Sequence, residues 1–118
     1  MKNILIAEDD QSIIDVVTII LQEEGYEARV ARQQKELYQE LQQQTPHVVL
    51  LDIRLGESNG QAIARRLKTQ KTTRAIPLVI MSADNAIEKI AKETGADAFL
   101  LKPFTIEELL AVIKEHSS

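Results

Sequence analysis

The chain has no cysteine, which excludes a disulfide framework, a thiolate zinc site and a cysteine nucleophile. It has no excess of positive charge: 14 Lys and Arg against 18 Asp and Glu leave a net charge of −4. Neutralising nucleic-acid phosphates needs a basic face, so no direct nucleic-acid binding is expected. No apolar run approaches the roughly 18 residues of a membrane span. The short run Ile4 to Ala7 is stopped by Glu8, too soon for a secretory signal. These absences predict a cytoplasmic protein with no membrane contact. Histidine is scarce as well. His47 and His116 are the only two; they lack metal-ligand spacing and read as structural or solvated. No linker, repeat or change of composition divides the 118 residues. One domain spanning residues 1–118 is expected, long enough for a sizeable core.

What is present is an alternation of apolar runs with helical patterns, about five times over. The runs Ile4 to Ala7, His47 to Asp52, Leu78 to Met81 and Ala98 to Leu101 read as strands, and Glu27 to Ala31 as a half-exposed edge strand. Between them lie helical patterns. Ser12 to Glu24 carries Ile13, Val16, Val17, Ile20 and Leu21 on one broad face and ends at Gly25. Gln33 to Gln44 has a narrow Leu37–Leu41 stripe, and its six glutamines read as a solvated face. Asn59 to Gln70 buries Ile63 and Leu67. Asn85 to Thr94 is weakly anchored by Ile87, Ile90 and Ala91. Thr105 to Glu115 opens on a Thr105–Glu108 capping box. Such alternation predicts an α/β fold: a single doubly wound, five-stranded parallel sheet flanked by five helices.

The apolar run Val48-Val49-Leu50-Leu51 ends directly in Asp52. A strand this apolar is buried on both faces, and ligand sites in parallel sheets lie beyond the carboxyl ends of the strands. Three further features share that place: Glu8-Asp9-Asp10 after the first strand, Ser82 after the fourth and Lys102 after the fifth. In the strand order 2-1-3-4-5, adopted here as one of the common doubly wound arrangements, Glu8 and Asp9 come to lie beside Asp52. Crowded carboxylates repel, and oxygen-only ligands suit Mg²⁺. With a lysine added, the set fits phosphoryl transfer onto Asp52, with Lys102 and Ser82 meeting the phosphoryl oxygens. Each residue alone has a plainer reading. Asp10 or Ser12 can cap a helix, Asp52 or Ser82 can form a turn, and Lys102 can be solvated.

Together the motifs resemble the receiver domain of two-component response regulators. They are Ile-Ala-Glu-Asp-Asp (6 to 10), Leu-Leu-Asp-Ile-Arg-Leu (50 to 55), Val-Ile-Met-Ser-Ala (79 to 83), Gly-Ala-Asp-Ala-Phe (95 to 99) and Lys-Pro-Phe (102 to 104). The resemblance implies a flavodoxin-like receiver fold and a phosphorelay role. Asp52 would be the phosphoacceptor, Lys102 the paired lysine, and Glu8 and Asp9 the acidic pair. Mg²⁺ would be held by Asp9, Asp52 and the backbone carbonyl of Arg54, with Glu8 beside them. Ser82 and Phe99 would be the switch residues, although Phe99 can also be an ordinary core aromatic, and Pro103 would follow a cis peptide bond. A histidine kinase or phosphotransfer protein would be the donor. A downstream protein partner or fused output domain would read the face made by helix four, strand five and helix five.

Some positions depart from the common pattern. Gly56 stands where many receivers carry proline, and Ser58 where an apolar residue is common. Ala98 and Val112 replace charges used in paired dimers, so the expectation is a monomer or a phosphorylation-dependent dimer held by apolar contact. Arg54 and Asp84 flank the expected acyl phosphate, and a contact between them is a hypothesis. An unphosphorylated pseudo-receiver is the alternative reading. An Asp-nucleophile phosphatase is disfavoured, because Arg54 stands where such enzymes carry a second Asp. The chain is expected to catalyse its own phosphorylation and dephosphorylation without being a turnover enzyme on an external substrate.

Overall fold

Five strands and five helices alternate through the computed structural model, which describes residues 1–118. The strands are β1 (Asn3–Ala7), β2 (Glu27–Ala31), β3 (Val48–Asp52), β4 (Leu78–Ser82) and β5 (Ala98–Leu101). The helices are α1 (Gln11–Glu23), α2 (Gln34–Gln43), α3 (Gly60–Thr69), α4 (Ile87–Thr94) and α5 (Ile106–His116). All neighbouring strands are parallel, in the order β2-β1-β3-β4-β5.

The unbroken apolar strands follow from burial on both sides. Leu5, Ala7, Val49, Leu51, Leu78 and Ile80 point to one face, where Leu37 of α2, Ile63 and Leu67 of α3 and Ile90 of α4 pack. Ile4, Ile6, Val48, Leu50, Val79 and Met81 point to the other, against Val17 and Leu21 of α1 and Leu109 and Ile113 of α5. Successive strand residues alternate faces, so both layers need apolar side chains along β1, β3 and β4, the polar Asn3, Asp52 and Ser82 standing only at strand ends. Burying one such Leu or Ile stabilises the fold by roughly 1.5–3 kcal/mol.

Two helices differ from their sequence reading. In α1 the buried residues are Ile14, Val17 and Leu21, spaced three and four apart, while Val16 is 55% exposed. The helix is apolar around most of its circumference, so periodicity left its sheet-facing side open, and packing turned Ile14 inward. Helix α4 starts at Ile87 rather than Asn85. The preceding residues form a turn in which the Asp84 carboxylate accepts from Ala86 N–H at 2.9 Å and the Ile87 N–H donates to the Asp84 carbonyl at 3.0 Å.

The loop after β3 is held by close backbone approach. Gly60 N–H donates to the Ile53 carbonyl at 3.0 Å, and a Cβ at residue 60 would lie 2.1 Å from that oxygen. Asn59 caps α3 by accepting from the N–H groups of Gln61 and Ala62. The Thr105–Glu108 capping box is formed at the start of α5. His47 is structural, its Nδ1 accepting from the Asn3 N–H at 3.0 Å. No helix is long and apolar enough to cross a membrane.

Candidate functional site at the carboxyl ends of the strands

The β1–β3 register pairs Ala7 with Leu51, so the next residue of each strand, Glu8 and Asp52, stand side by side. The acidic triplet divides its work among three directions. Glu8 has no exposed surface, and its Oε2 accepts from Asp9 N–H at 3.0 Å. Asp9 stays on the exposed rim. Asp10 turns away to cap α1, its Oδ1 accepting from the N–H groups of Ser12 and Ile13. Of the two capping candidates, Asp10 is thus the one used, and it is not part of the site.

Asp52 is buried to 7% exposure. Its Oδ1 accepts from the Arg54 N–H at 3.0 Å, and its Oδ2 from the Lys102 ammonium at 3.0 Å. The same ammonium donates to Glu8 Oε1 at 2.8 Å. Lys102 is carried there by β5, with its backbone N–H on the Ser82 carbonyl at 2.8 Å, and the Lys102–Pro103 peptide bond is cis. Ser82, also 7% exposed, accepts through Oγ from the Asp84 N–H at 3.0 Å. Asp52, Arg54, Ser82, Ala83, Asp84 and Lys102 line a cleft of about 270 Å³.

Burial pushes the Glu8 carboxyl up to about 7, and the neighbouring Asp52 carboxylate adds to the rise against the pull of Lys102. Burial acts on Asp52 in the same sense. Its hydrogen-bonded surroundings (Glu8, the Arg54 N–H and the Lys102 ammonium) outweigh that and hold it below the ordinary carboxylate range. Desolvation works against the Lys102 charge, but the two carboxylates raise its pKa and keep it an ammonium. The two buried acids are thus driven in opposite directions, Glu8 toward its neutral form and Asp52 toward its carboxylate.

Carboxylate oxygens of Glu8, Asp9 and Asp52 lie within 4.8 Å of one another. Three acids beside one ammonium make a set of hard oxygen donors that a small divalent cation fits. A cation there would favour the ionised form of Glu8 against the burial that raises its pKa and would relieve the repulsion among the acids.

The structure thus gathers Glu8, Asp9, Asp52 and Lys102, places Ser82 on the cleft wall and sets Arg54 at its rim. Phe99 is apart from them. It lies on β5 opposite Ile80, 39% exposed, on a surface shared with Ala91 and Lys92 of α4 and His116 of α5. It is not a core aromatic. No Arg54–Asp84 ion pair forms; the Asp84 carboxylate instead receives the Ala86 N–H. Ala83, the last residue of the 79–83 motif, also lines the cleft, a place its side chain does not signal.

A doubly wound α/β domain with buried carboxyls at the β1/β3 switch point and a lysine brought to them from the end of β5 belongs to the class that works on ligands at its strand ends. The chain is a member of the response regulator receiver domain family, whose model matches residues 4–114. It is 34% identical over 117 residues to the phosphate regulon transcriptional regulatory protein PhoB of Pseudomonas aeruginosa, covering 96% of this chain and 50% of that one. Among solved structures it is similar to the receiver domain of NtrX from Brucella abortus, with 32% identity, a TM-score of 0.88 and 97% of each chain covered. A CheY-like receiver domain protein from Methanospirillum hungatei matches with 29% identity and a TM-score of 0.87, over 98% of this chain and 92% of that one. The chain spans about half the length of the curated relatives it matches.

Proposed function

We propose that Asp52 accepts a phosphoryl group from a phosphohistidine of a histidine kinase or phosphotransfer protein. The observation that carries this reading is the Asp52 carboxyl held between the Arg54 N–H and the Lys102 ammonium. An Asp52 oxygen attacks phosphorus as the phosphorus–nitrogen bond breaks, and the histidine keeps the electron pair. Mg²⁺, held by Asp9, Asp52 and the backbone carbonyl of Arg54 with Glu8 beside them, would neutralise charge on the phosphoryl oxygens. Lys102 meets a second oxygen once its bond to Asp52 is exchanged for one to the phosphoryl group. The Ser82 hydroxyl is placed to donate to a third.

The Ser82 Oγ also accepts from the Asp84 N–H, a bond that belongs to the turn that starts α4. A shift of the Ser82 hydroxyl toward the phosphoryl group would pull on this turn and so on α4, and Phe99, exposed beside α4, would turn inward. The product is a signalling switch whose α4–β5–α5 face controls a protein partner or a fused output domain. With Ala98 and half-buried Val112 on that face, any phosphorylation-dependent dimer would rest on apolar contact.

The test combines intact-mass measurement after incubation with acetyl phosphate and amide NMR with beryllofluoride, both with and without Mg²⁺. One phosphoryl group added only with Mg²⁺, lost in Asp52→Asn, and NMR shifts that reach Ser82, Phe99 and α4, are expected. Phosphorylation with shifts confined to Asp52 would leave an acceptor without an output switch. No response to either reagent would favour the unphosphorylated interaction module.

A further inference from the structure

We propose a second ligand site on this domain: a cleft between the start of α2, the β3–α3 loop and α3 that binds a small oxyanion, a phosphate or carboxylate group, through Arg66 and Lys35. The cleft encloses about 680 Å³, against about 270 Å³ at the Asp52 centre. It shares no lining residue with that centre, and its volume falls in the range of small-molecule sites.

Its charge is unusual for this protein. Neither Arg66 nor Lys35 takes part in any of the ion pairs of the structure. Glu57 is the only carboxylate among the lining residues, so the cleft is net positive on a chain whose net charge is −4. A positive concavity on a negative molecule concentrates anions locally.

The arginine is also held in place. Its guanidinium carbon lies 4.6 Å from the centroid of the Tyr38 ring, and Tyr38 packs against the core layer between the sheet and helices α2, α3 and α4. Stacking occupies one face of the guanidinium and leaves its edge N–H groups free, in the fork that matches a carboxylate or phosphate. A guanidinium already restrained loses less freedom on binding than one on a mobile stem. Lys35 adds a second cation, and the Gln33 amide and Ser58 hydroxyl supply neutral donors on the walls. A neutral or cationic ligand would gain nothing from the two unpaired cations.

The experiment is an amide and arginine side-chain NMR titration of the metal-free domain with inorganic phosphate and, separately, succinate, at constant ionic strength. Saturable shifts at Lys35, Tyr38, Ser58 and the Arg66 side chain are expected with at least one probe, the better probe telling a phosphate from a carboxylate ligand. Arg66→Ala, at an exposed helix position, should weaken binding about ten-fold, the loss of one charge-assisted pair. Arg66→Lys should fall between, and Arg74→Ala, an exposed arginine outside the cleft, should bind as the wild type. Shifts that never saturate with either probe, or that survive Arg66→Ala undiminished, would overturn the proposal. Because no metal is present and the readout is local to the cleft, the result does not depend on Asp52 being phosphorylated.

Discussion

Lys102 and Glu8, 94 residues apart in the chain, meet at 2.8 Å where Glu8 has no exposed surface. The contact makes one ammonium answer for two buried acids, because Asp52 lies 3.0 Å from the same nitrogen. Both partners of a buried pair must be present for either to be tolerated.

Replacing the cation should therefore expose the cost of the acids. Lys102→Met is expected to lower stability near neutral pH by about 3 kcal/mol, the usual penalty for stranding a buried charge. Added Mg²⁺ should recover more stability in this variant than in the wild type, since it supplies the missing positive charge. Urea unfolding with and without the cation measures both. An unchanged midpoint would mean that the acids are relieved by another route.

The raised Glu8 pKa sets a pH dependence of definite sign. A carboxyl at about 7 in the folded state, against an ordinary value of 4.5, binds more protons folded than unfolded between those limits. Stability of the metal-free domain should thus fall as pH rises through that window, by on the order of 3 kcal/mol in all. The lowered Asp52 pKa acts in the opposite sense only at more acid pH, where its stabilisation is lost as the carboxylate protonates. Glu8→Gln should flatten the decline toward neutrality and leave the acid limb intact. Thermal unfolding across the pH range would show either two limbs or, against this account, a single one.

Two glycines that follow β3, one in the loop and one opening α3, should respond differently to the same change. At Gly60 a methyl group would lie 2.1 Å from the Ile53 carbonyl oxygen. Gly60→Ala should therefore move the loop that follows Asp52 and cost about 4 kcal/mol or more, in the class of large steric effects. At Gly56 no atom lies within 4 Å, and only φ of +57° opposes a side chain. Gly56→Ala should cost about 1 kcal/mol. Comparable losses at both positions would mean that the close approach at residue 60 relaxes freely.

The architecture was legible along the chain because its signals are local. Unbroken apolar runs at residues 4–7, 48–51 and 78–81 have one economical explanation, strands buried on both faces. The patterns between them are too long and too periodic to be loops, and the Thr105–Glu108 spacing marked a helix start that the structure contains. Carboxylates and a lysine at strand ends were legible for the same reason, since each follows its own strand directly.

Other features depended on what each residue meets in space. Asp9 and Asp10 are chemically alike, yet one stays at the rim and the other caps α1. Ile14 and Val16 are equally apolar, yet only Ile14 is buried. Asp84 bonds its own turn instead of Arg54, and Arg66 stacks on a tyrosine of another helix. By itself the sequence determined which chemical groups this protein carries and the order in which strands and helices deliver them, because hydrophobic period and strand-end position are properties of short segments. Only the tertiary structure decided which group faces which, and with it which acids are buried against Lys102 and which cations remain unpaired, because burial and charge coupling arise between residues that the chain does not place together.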